Sequence, residues 1–290
     1  MVVSLPVALS EPVLSAEVTD GLAAVEERIR EAVSTPHPVL ADAARHLIDA
    51  GGKRIRPLLV LLAAQFGTRR DGRIVAAAVA VELIHLATLY HDDVMDGAAV
   101  RRGVSSANAQ WGNSLAVWTG DFLFSRAAQI MADLGQDVIR IQAKTFARLV
   151  EGQAAETAGP LPGQDPVDHY LRVLEDKTAS LFATSGEFGS FLSGSPPDIT
   201  CRIRRACTEW GMAYQLSDDL LDIASDCAES GKTPGTDLRE GIATHAVLQV
   251  LRSSDPADAR LLELIALGEL ADPALHAEAL GLIRAIQQWT

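Results

Sequence analysis

Cysteine is scarce in this chain, aromatic residues are few, and acidic residues outnumber basic ones. The three cysteines, Cys201, Cys207 and Cys227, are an odd number without metal-ligand spacing. Neither a disulfide scaffold nor a thiolate metal centre is expected, and they read as free thiols in a reducing compartment. Lys and Arg total 25 against 38 Asp and Glu, a formal net charge of -13. That excludes non-specific nucleic-acid binding, which needs a basic surface, and disfavours a polybasic membrane anchor. No uninterrupted apolar run approaches the roughly 18 residues of a membrane span. The nearest, "IVAAAVAVELIHLATLY", carries Glu82 and His85 and reads as a buried helix. The N-terminal "MVVSLPVALSEPVLSAE" has no basic segment ahead of an apolar core, so no signal peptide is expected. These absences together imply a soluble, cytoplasmic protein without a transmembrane segment.

Strand alternation is missing as well. Hydrophobic residues make up 48% of the chain and recur at helical spacing. In "DGLAAVEERIREAVS", Leu22, Val25, Ile29 and Val33 share one stripe, with charges opposite. Breaks come at "AGGKRIRP", "GPLPGQDP", "SGSPPD", "ESGKTPG" and "SSDP". Asp165 followed by Pro166 predicts an N-cap and a first helical position, and Pro197 with Asp198 opens a run to about Asp226. No linker long enough to separate two domains is present. The expected fold is all-α: a single domain over residues 1–290, with roughly a dozen helices in one large bundle. Residues 1–18 are expected to be a flexible N-terminal segment.

What the chain does have is two acidic clusters. "HDDVMD" holds Asp92, Asp93 and Asp96, and "YQLSDDLLD" holds Asp218, Asp219 and Asp222. In each, the outer pair is four apart and shares a helix face. Each cluster ends a long apolar helical segment, which would place carboxylates at the rim of a bundle interior. Repulsion there exceeds that in water, so a cation is expected. Hard oxygen ligands suit Mg²⁺, which keeps several waters and joins one or two carboxylates to substrate phosphates. One such cluster alone would read as a solvated helix end; two copies favour metal and diphosphate. A diphosphate calls for cations nearby, and they occur at breaks and helix ends. "GGKRIRP" supplies Lys53, Arg54 and Arg56 beside glycines, Arg101 and Arg102 follow the first cluster, Lys177 and Thr178 lie in "EDKTASLF", and Lys232 follows the second cluster. His85 sits about two turns before Asp92. Taken singly, each cation reads as a surface residue and His85 as a core histidine.

In this order, "GGKRIRP", "HDDVMDGAAVRRG", "GDFLFSRA", "KTASLF", "YQLSDDLLD" and "GKTPGTDLREG" resemble the motifs of the trans-isoprenyl diphosphate synthases, or polyprenyl synthetases, from about Leu22 to Leu248. The resemblance implies an isoprenoid-synthase helical bundle with a central apolar substrate tunnel, and a homodimer. It implies Lys53, Arg56, His85 and Arg102 as ligands of isopentenyl diphosphate. Asp92, Asp96 and Asp218, with Asp222, are implied as ligands of Mg²⁺, three ions per site. Arg101, Lys177, Thr178 and Lys232 are implied on the allylic diphosphate, with Gln215 beside the allylic chain. The implied reaction condenses isopentenyl diphosphate with geranyl, farnesyl or geranylgeranyl diphosphate to an all-trans polyprenyl diphosphate.

Two departures stand out. "GTDLREG" continues as "GIATHA", placing Ile242 where the family carries a lysine, and the sequence ends at "LIRAIQQWT", where family members run on through further C-terminal helices. Product length is expected to depend on what lies below the first aspartates. A rise of 1.5 Å per residue puts Ala87 about 7 Å below Asp92. Small Ala87 and Thr88 leave room where short-chain members carry a bulky aromatic, so a product beyond geranylgeranyl, hexaprenyl to nonaprenyl, is expected. A floor could instead come from Ile84, Val81, Phe124 or Met131. The alternatives are a geranylgeranyl diphosphate synthase, a class I terpene cyclase, and a non-catalytic subunit of a heteromeric synthase.

Overall fold

The computed structural model describes residues 9–224 and 234–286, and they are helical almost throughout. In order these are α1 (Pro12–Ala32), α2 (Pro38–Asp49), α3 (Ile55–Ala63), α4 (Gly72–Met95), α5 (Ala107–Trp111), α6 (Asn113–Leu134) and α7 (Gln136–Ala158). They continue with α8 (Pro166–Val173), α9 (Ser180–Leu192), α10 (Pro197–Ala224), α11 (Thr236–Arg239), α12 (His245–Leu251), α13 (Ala259–Ile265) and α14 (Pro273–Ala285). Helices α1, α2, α8 and α14 each open on proline, where the missing N–H has no intrahelical acceptor to lose. Glu11, His37, Asp165 and Asp272 cap them by accepting from backbone amides. Of the segment 1–18 expected to be flexible, residues 1–8 lie outside the described residues, and residues 12–18 depart from expectation. Helix α1 starts at Pro12 and buries Val18 to 1% exposure, so residues 12–18 extend the apolar stripe of Leu22, Val25 and Ile29 rather than forming a flexible lead.

Contacts divide the chain into two compact units, Met1–Leu149 with Ala179–Glu209, and Val150–Thr178 with Trp210–Thr290. The divisions fall inside α7 and α10, so no linker marks them in the sequence.

The first unit is built on α4, which packs against α1, α3, α6 and α9. By length and composition α4 could cross a membrane, but it is a core helix, with residues 77 to 84 all buried. Helix α9 approaches α3 through Gly189, where a Cβ would lie 2.1 Å from the Val60 carbonyl oxygen and 2.9 Å from the Ala63 Cβ. Its buried Thr184, Ser185 and Ser190 hydroxyls donate to carbonyls one turn back, which lets polar residues line a buried helix. After α4, Val100–Arg101 pairs with Val104–Ser105 in a small antiparallel hairpin that the helical periodicity gave no sign of. Arg102 at φ 53° and Gly103 at φ 78° form its two-residue loop, a type I′ turn.

In the second unit α12 packs on α8, α13 and α14, and α11 packs on α14, around Ile223, Leu238, Val247, Leu261, Leu264 and Ile283. Between α8 and α9 the helix widens into a π-helical stretch over Leu174–Ala179, a local form frequent at functional sites. Gly189→Ala should destabilise the protein by about 1–3 kcal/mol or more, because the α3 backbone cannot yield to a methyl group. Denaturant unfolding monitored by circular dichroism checks this; an unchanged midpoint would mean that α9 is not seated on α3.

Candidate active site

Helix α4 carries the first cluster at its C-terminal end. Asp96 is its C-cap, with its N–H donating to the Asp92 carbonyl at 2.8 Å, and its side chain is exposed. Asp92 is half-buried and Asp93 is fully buried. Asp93 Oδ1 accepts from Arg101 Nε at 2.6 Å, while its buried Oδ2 has no hydrogen-bond partner. Burial pushes the Asp93 carboxyl upward in pKa, opposed by Arg101. Asp93, which the sequence offered only as a third carboxylate, thus anchors the arginine expected on the allylic diphosphate.

The other predicted site cations of this unit lie in the α2–α3 connection, at the start of α3 and in the hairpin after α4. Lys53 is exposed, and Arg56 places its Cζ 4.8 Å from the centre of the Phe182 ring. Arg54 is buried and ion-paired to both Glu26 of α1 and Glu82 of α4. Arg102 donates to the carbonyls of Leu47, at 2.7 Å, and Gly51. His85 is half-buried, and desolvation followed by the positive charges of Arg56, Arg102, Arg54 and Arg101 holds its pKa well below the usual histidine range. It is therefore a neutral imidazole at neutral pH.

Ile84 and Ala87 are buried in the α4 interior, and the half-buried Thr88 returns its hydroxyl to the His85 carbonyl at 2.8 Å. An open groove of about 370 Å³ runs along α6 and α7, lined by Asp121, Phe124, Ser125, Ala128, Gln142 and Phe146. Phe124 meets Phe146 edge-on at 4.7 Å and lies 5.7 Å from the ring of His91, the residue before Asp92.

The second unit carries the other cluster. Lys177 and Thr178 sit in the π-helical stretch rather than in a regular helix. Lys177 Nζ is ion-paired to Glu156, and Thr178 donates to Gln215 Oε1 at 3.2 Å. Gln215 Nε2 donates in turn to Asp219 Oδ1 at 2.8 Å, and the Tyr170 hydroxyl donates to Asp219 Oδ2. Asp219 is buried, Asp218 is exposed and Asp222 is half-buried. The arrangement mirrors the first cluster, with a buried middle aspartate that holds its neighbours and outer aspartates nearer solvent. Asp222 Oδ2 also accepts from the Asp237 amide at 3.1 Å. Burial, then the charges of Asp222, Asp219, Glu240 and Asp218, push the Asp237 carboxyl up to about 7. Ile242 is 43% exposed, and its N–H donates to the Asp237 carbonyl. Lys232 and Cys227 lie outside the described residues.

These donors fit Mg²⁺. Carboxylate oxygens are its preferred ligands, the Asp93 Oδ2 is unsatisfied, and the crowding around Asp237 is what a cation would relieve. Among the described residues no three His, Cys, Asp or Glu side chains converge on a metal position by themselves. Mg²⁺ needs no such set, since water and phosphate complete its shell. Sequence reasoning missed Glu26 and Tyr170 altogether, and it missed the holding roles of Glu82, Asp93 and Asp219. A signal did exist for Glu82, a lone carboxylate inside the most apolar run of the chain.

A family profile for polyprenyl synthetases matches residues 37–283. The nonaprenyl diphosphate synthase of Mycobacterium tuberculosis is 46% identical over 278 residues, which cover 96% of this chain and 83% of that protein. The heptaprenyl diphosphate synthase component 2 of Geobacillus stearothermophilus is 42% identical over 234 residues, covering 80% of this chain and 73% of that one. Among solved structures, a geranylgeranyl pyrophosphate synthase from Corynebacterium glutamicum, complexed with calcium and isoprenyl diphosphate, superposes with a TM-score of 0.84. It is 41% identical, and the match covers 96% of this chain and 85% of that one. With both aspartate clusters in place and the match spanning nearly its whole length, this chain belongs to the polyprenyl synthetase family.

Proposed function

We propose that this chain is a Mg²⁺-dependent trans-prenyltransferase that condenses isopentenyl diphosphate with geranyl, farnesyl or geranylgeranyl diphosphate. Its product is an all-trans polyprenyl diphosphate in the hexaprenyl to nonaprenyl range, made in the cytoplasm. The observation that carries this reading is the twofold occurrence of a buried middle aspartate flanked by outer aspartates nearer solvent, together with four arginines around a neutral His85. Long product is supported by the small, buried Ala87 and by the names of the nonaprenyl and heptaprenyl relatives.

Asp92, Asp96, Asp218 and Asp222 would hold the ions. Mg²⁺, when bound, neutralises the allylic diphosphate and improves it as a leaving group. Arg101, braced by Asp93, shares that developing charge with Lys177, Thr178 and Lys232. Lys53, Arg56, His85 and Arg102 hold the diphosphate of isopentenyl diphosphate. Gln215, fixed by Thr178 and Asp219, lies along the allylic chain. Departure of diphosphate leaves an allylic cation, the double bond of isopentenyl diphosphate attacks it, and the proton then lost passes to the released diphosphate. The apolar surface of α4 and α6 keeps water from the cation.

A terpene cyclase needs no second diphosphate site, so the arginine cluster around His85 weighs against that reading. The likeness to a heptaprenyl diphosphate synthase component supports a second reading, in which the chain is a non-catalytic subunit of a heteromeric synthase.

Incubation with Mg²⁺, farnesyl diphosphate and labelled isopentenyl diphosphate should give elongated diphosphates, and chelation by EDTA should stop the reaction. A hydrocarbon made from the allylic substrate alone would indicate a cyclase, and turnover that needs an added protein would indicate a heteromer. Ala87→Phe should shift the product distribution to shorter chains on thin-layer chromatography; an unchanged spectrum would remove Ala87 from the chain-length role. The neutral His85 gives a further expectation. Its folded pKa lies below the unfolded value of about 6.5, so its stabilising contribution is complete above that pH and is lost as pH falls through and below it. His85→Gln should therefore lose less thermal stability than the parent between about pH 7 and pH 5. Parallel losses would show that His85 already carries a proton.

A further inference from the structure

We propose that Glu82 is a positioning residue for the isopentenyl diphosphate subsite, acting as the shared buried counter-ion that seats the Arg54 and Arg102 side chains against Gly51 and Gly52. The inference rests on the function proposed above and adds a residue to it that touches no substrate.

Glu82 is 2% exposed and accepts from Arg54 Nη1 at 3.0 Å. The same guanidinium reaches the Ile48 carbonyl at 3.3 Å and the Gly51 carbonyl at 3.4 Å. Arg102 arrives from the hairpin after α4 and donates to the Leu47 and Gly51 carbonyls. Two arginines from distant parts of the sequence thus grip the end of α2 and the first glycine of "GGKRIRP". They close in on Gly52, where a Cβ would lie 2.8 Å from Arg54 Nη1 and 2.9 Å from Arg102 Cζ. This is the loop that carries Lys53 and leads to Arg56.

Two like charges this close repel, and each lowers the other's affinity for its proton or is offset by a carboxylate. Glu82 is the first charge supporting both Arg54 and Arg102, whereas Glu26 pairs with Arg54 and Arg30. Among the described residues, Arg54 and Arg102 are also the two non-glycine residues with positive φ, at 48° and 53°. Such conformations persist only where the surroundings over-determine them, and they cluster at ligand sites. A buried ion pair is weak evidence for added stability, and its better attested use is to fix one geometry among several. His85 follows Glu82 by three residues on the same face of α4, so the carboxylate that seats the arginines lies beside a proposed ligand of the same diphosphate.

The test is Glu82→Gln, which keeps the shape and removes the charge, beside Gly52→Ala, which crowds the same two guanidinium groups without touching α4. Steady-state kinetics on each should show KM for isopentenyl diphosphate raised about tenfold, the scale of one charged hydrogen bond. KM for farnesyl diphosphate should stay within about twofold, and kcat at saturating substrate should fall far less than kcat/KM. Should Glu82→Gln fail to fold, Gly52→Ala and Glu26→Gln carry the same comparison. A rise in both KM values together, an unchanged KM, or a lower KM for isopentenyl diphosphate overturns the inference while wild-type elongation leaves the proposed function standing. A wild-type chain that does not elongate overturns the proposed function and this inference with it.

Discussion

A helix that is apolar on every side has no face to give to water, and α4 is such a helix. Its burial against α1, α3, α6 and α9 takes Glu82 and Asp93 into the interior with it. An uncompensated carboxylate there would face a desolvation penalty of several kcal/mol, so each has to bring a cation inward. The two lie eleven residues apart, about three helical turns, and therefore share a face. Arg54 meets the first and Arg101 the second. An acidic protein thereby acquires a compact basic region at one place, whose charges add to the desolvation that keeps His85 neutral.

The second unit solves a related problem with other groups. Among the described residues, Asp219 is compensated by neutral donors, the Tyr170 hydroxyl and the Gln215 amide. Burial and then the neighbouring carboxylates of that cluster push the Asp237 carboxyl upward. Where the first unit pairs carboxylate with cation, the second leaves a surplus of carboxylate for something positive to meet. Thr178 belongs to the same hydrogen-bonded chain through Gln215, so the π-helical stretch is tied to the aspartates by side chains as well as by sequence.

The helical class, the bundle around α4 and the outer aspartates were legible because they rest on periodicity and spacing, which are local. The stripe Leu22, Val25, Ile29 and Val33 is fully buried, and Asp165 caps α8 as its sequence predicts. What escaped notice depends on groups far apart in the chain. Arg101 finds Asp93 across eight residues, whereas Arg102 finds Leu47 across 55 and Tyr170 finds Asp219 across 49. The hairpin escaped for a different reason. Its loop is Arg-Gly in place of the Asn-Gly or Asp-Gly that advertises a type I′ turn, and its strands are two residues long. The helical start of residues 12–18 escaped because Pro12 opens α1 at its first position and only Val18 of those residues is buried.

The left-handed backbone at Arg102 bears on how this chain tolerates change. Glycine or asparagine would suit that turn position better, and a search for stabilising substitutions would rank it highly. Either replacement would take the guanidinium away from the Leu47 and Gly51 carbonyls that it now bridges. Local stability and the placement of a cation are in opposition at this one residue. The hairpin is thus a point where selection for a sturdier protein and selection for a working one would pull the sequence in different directions.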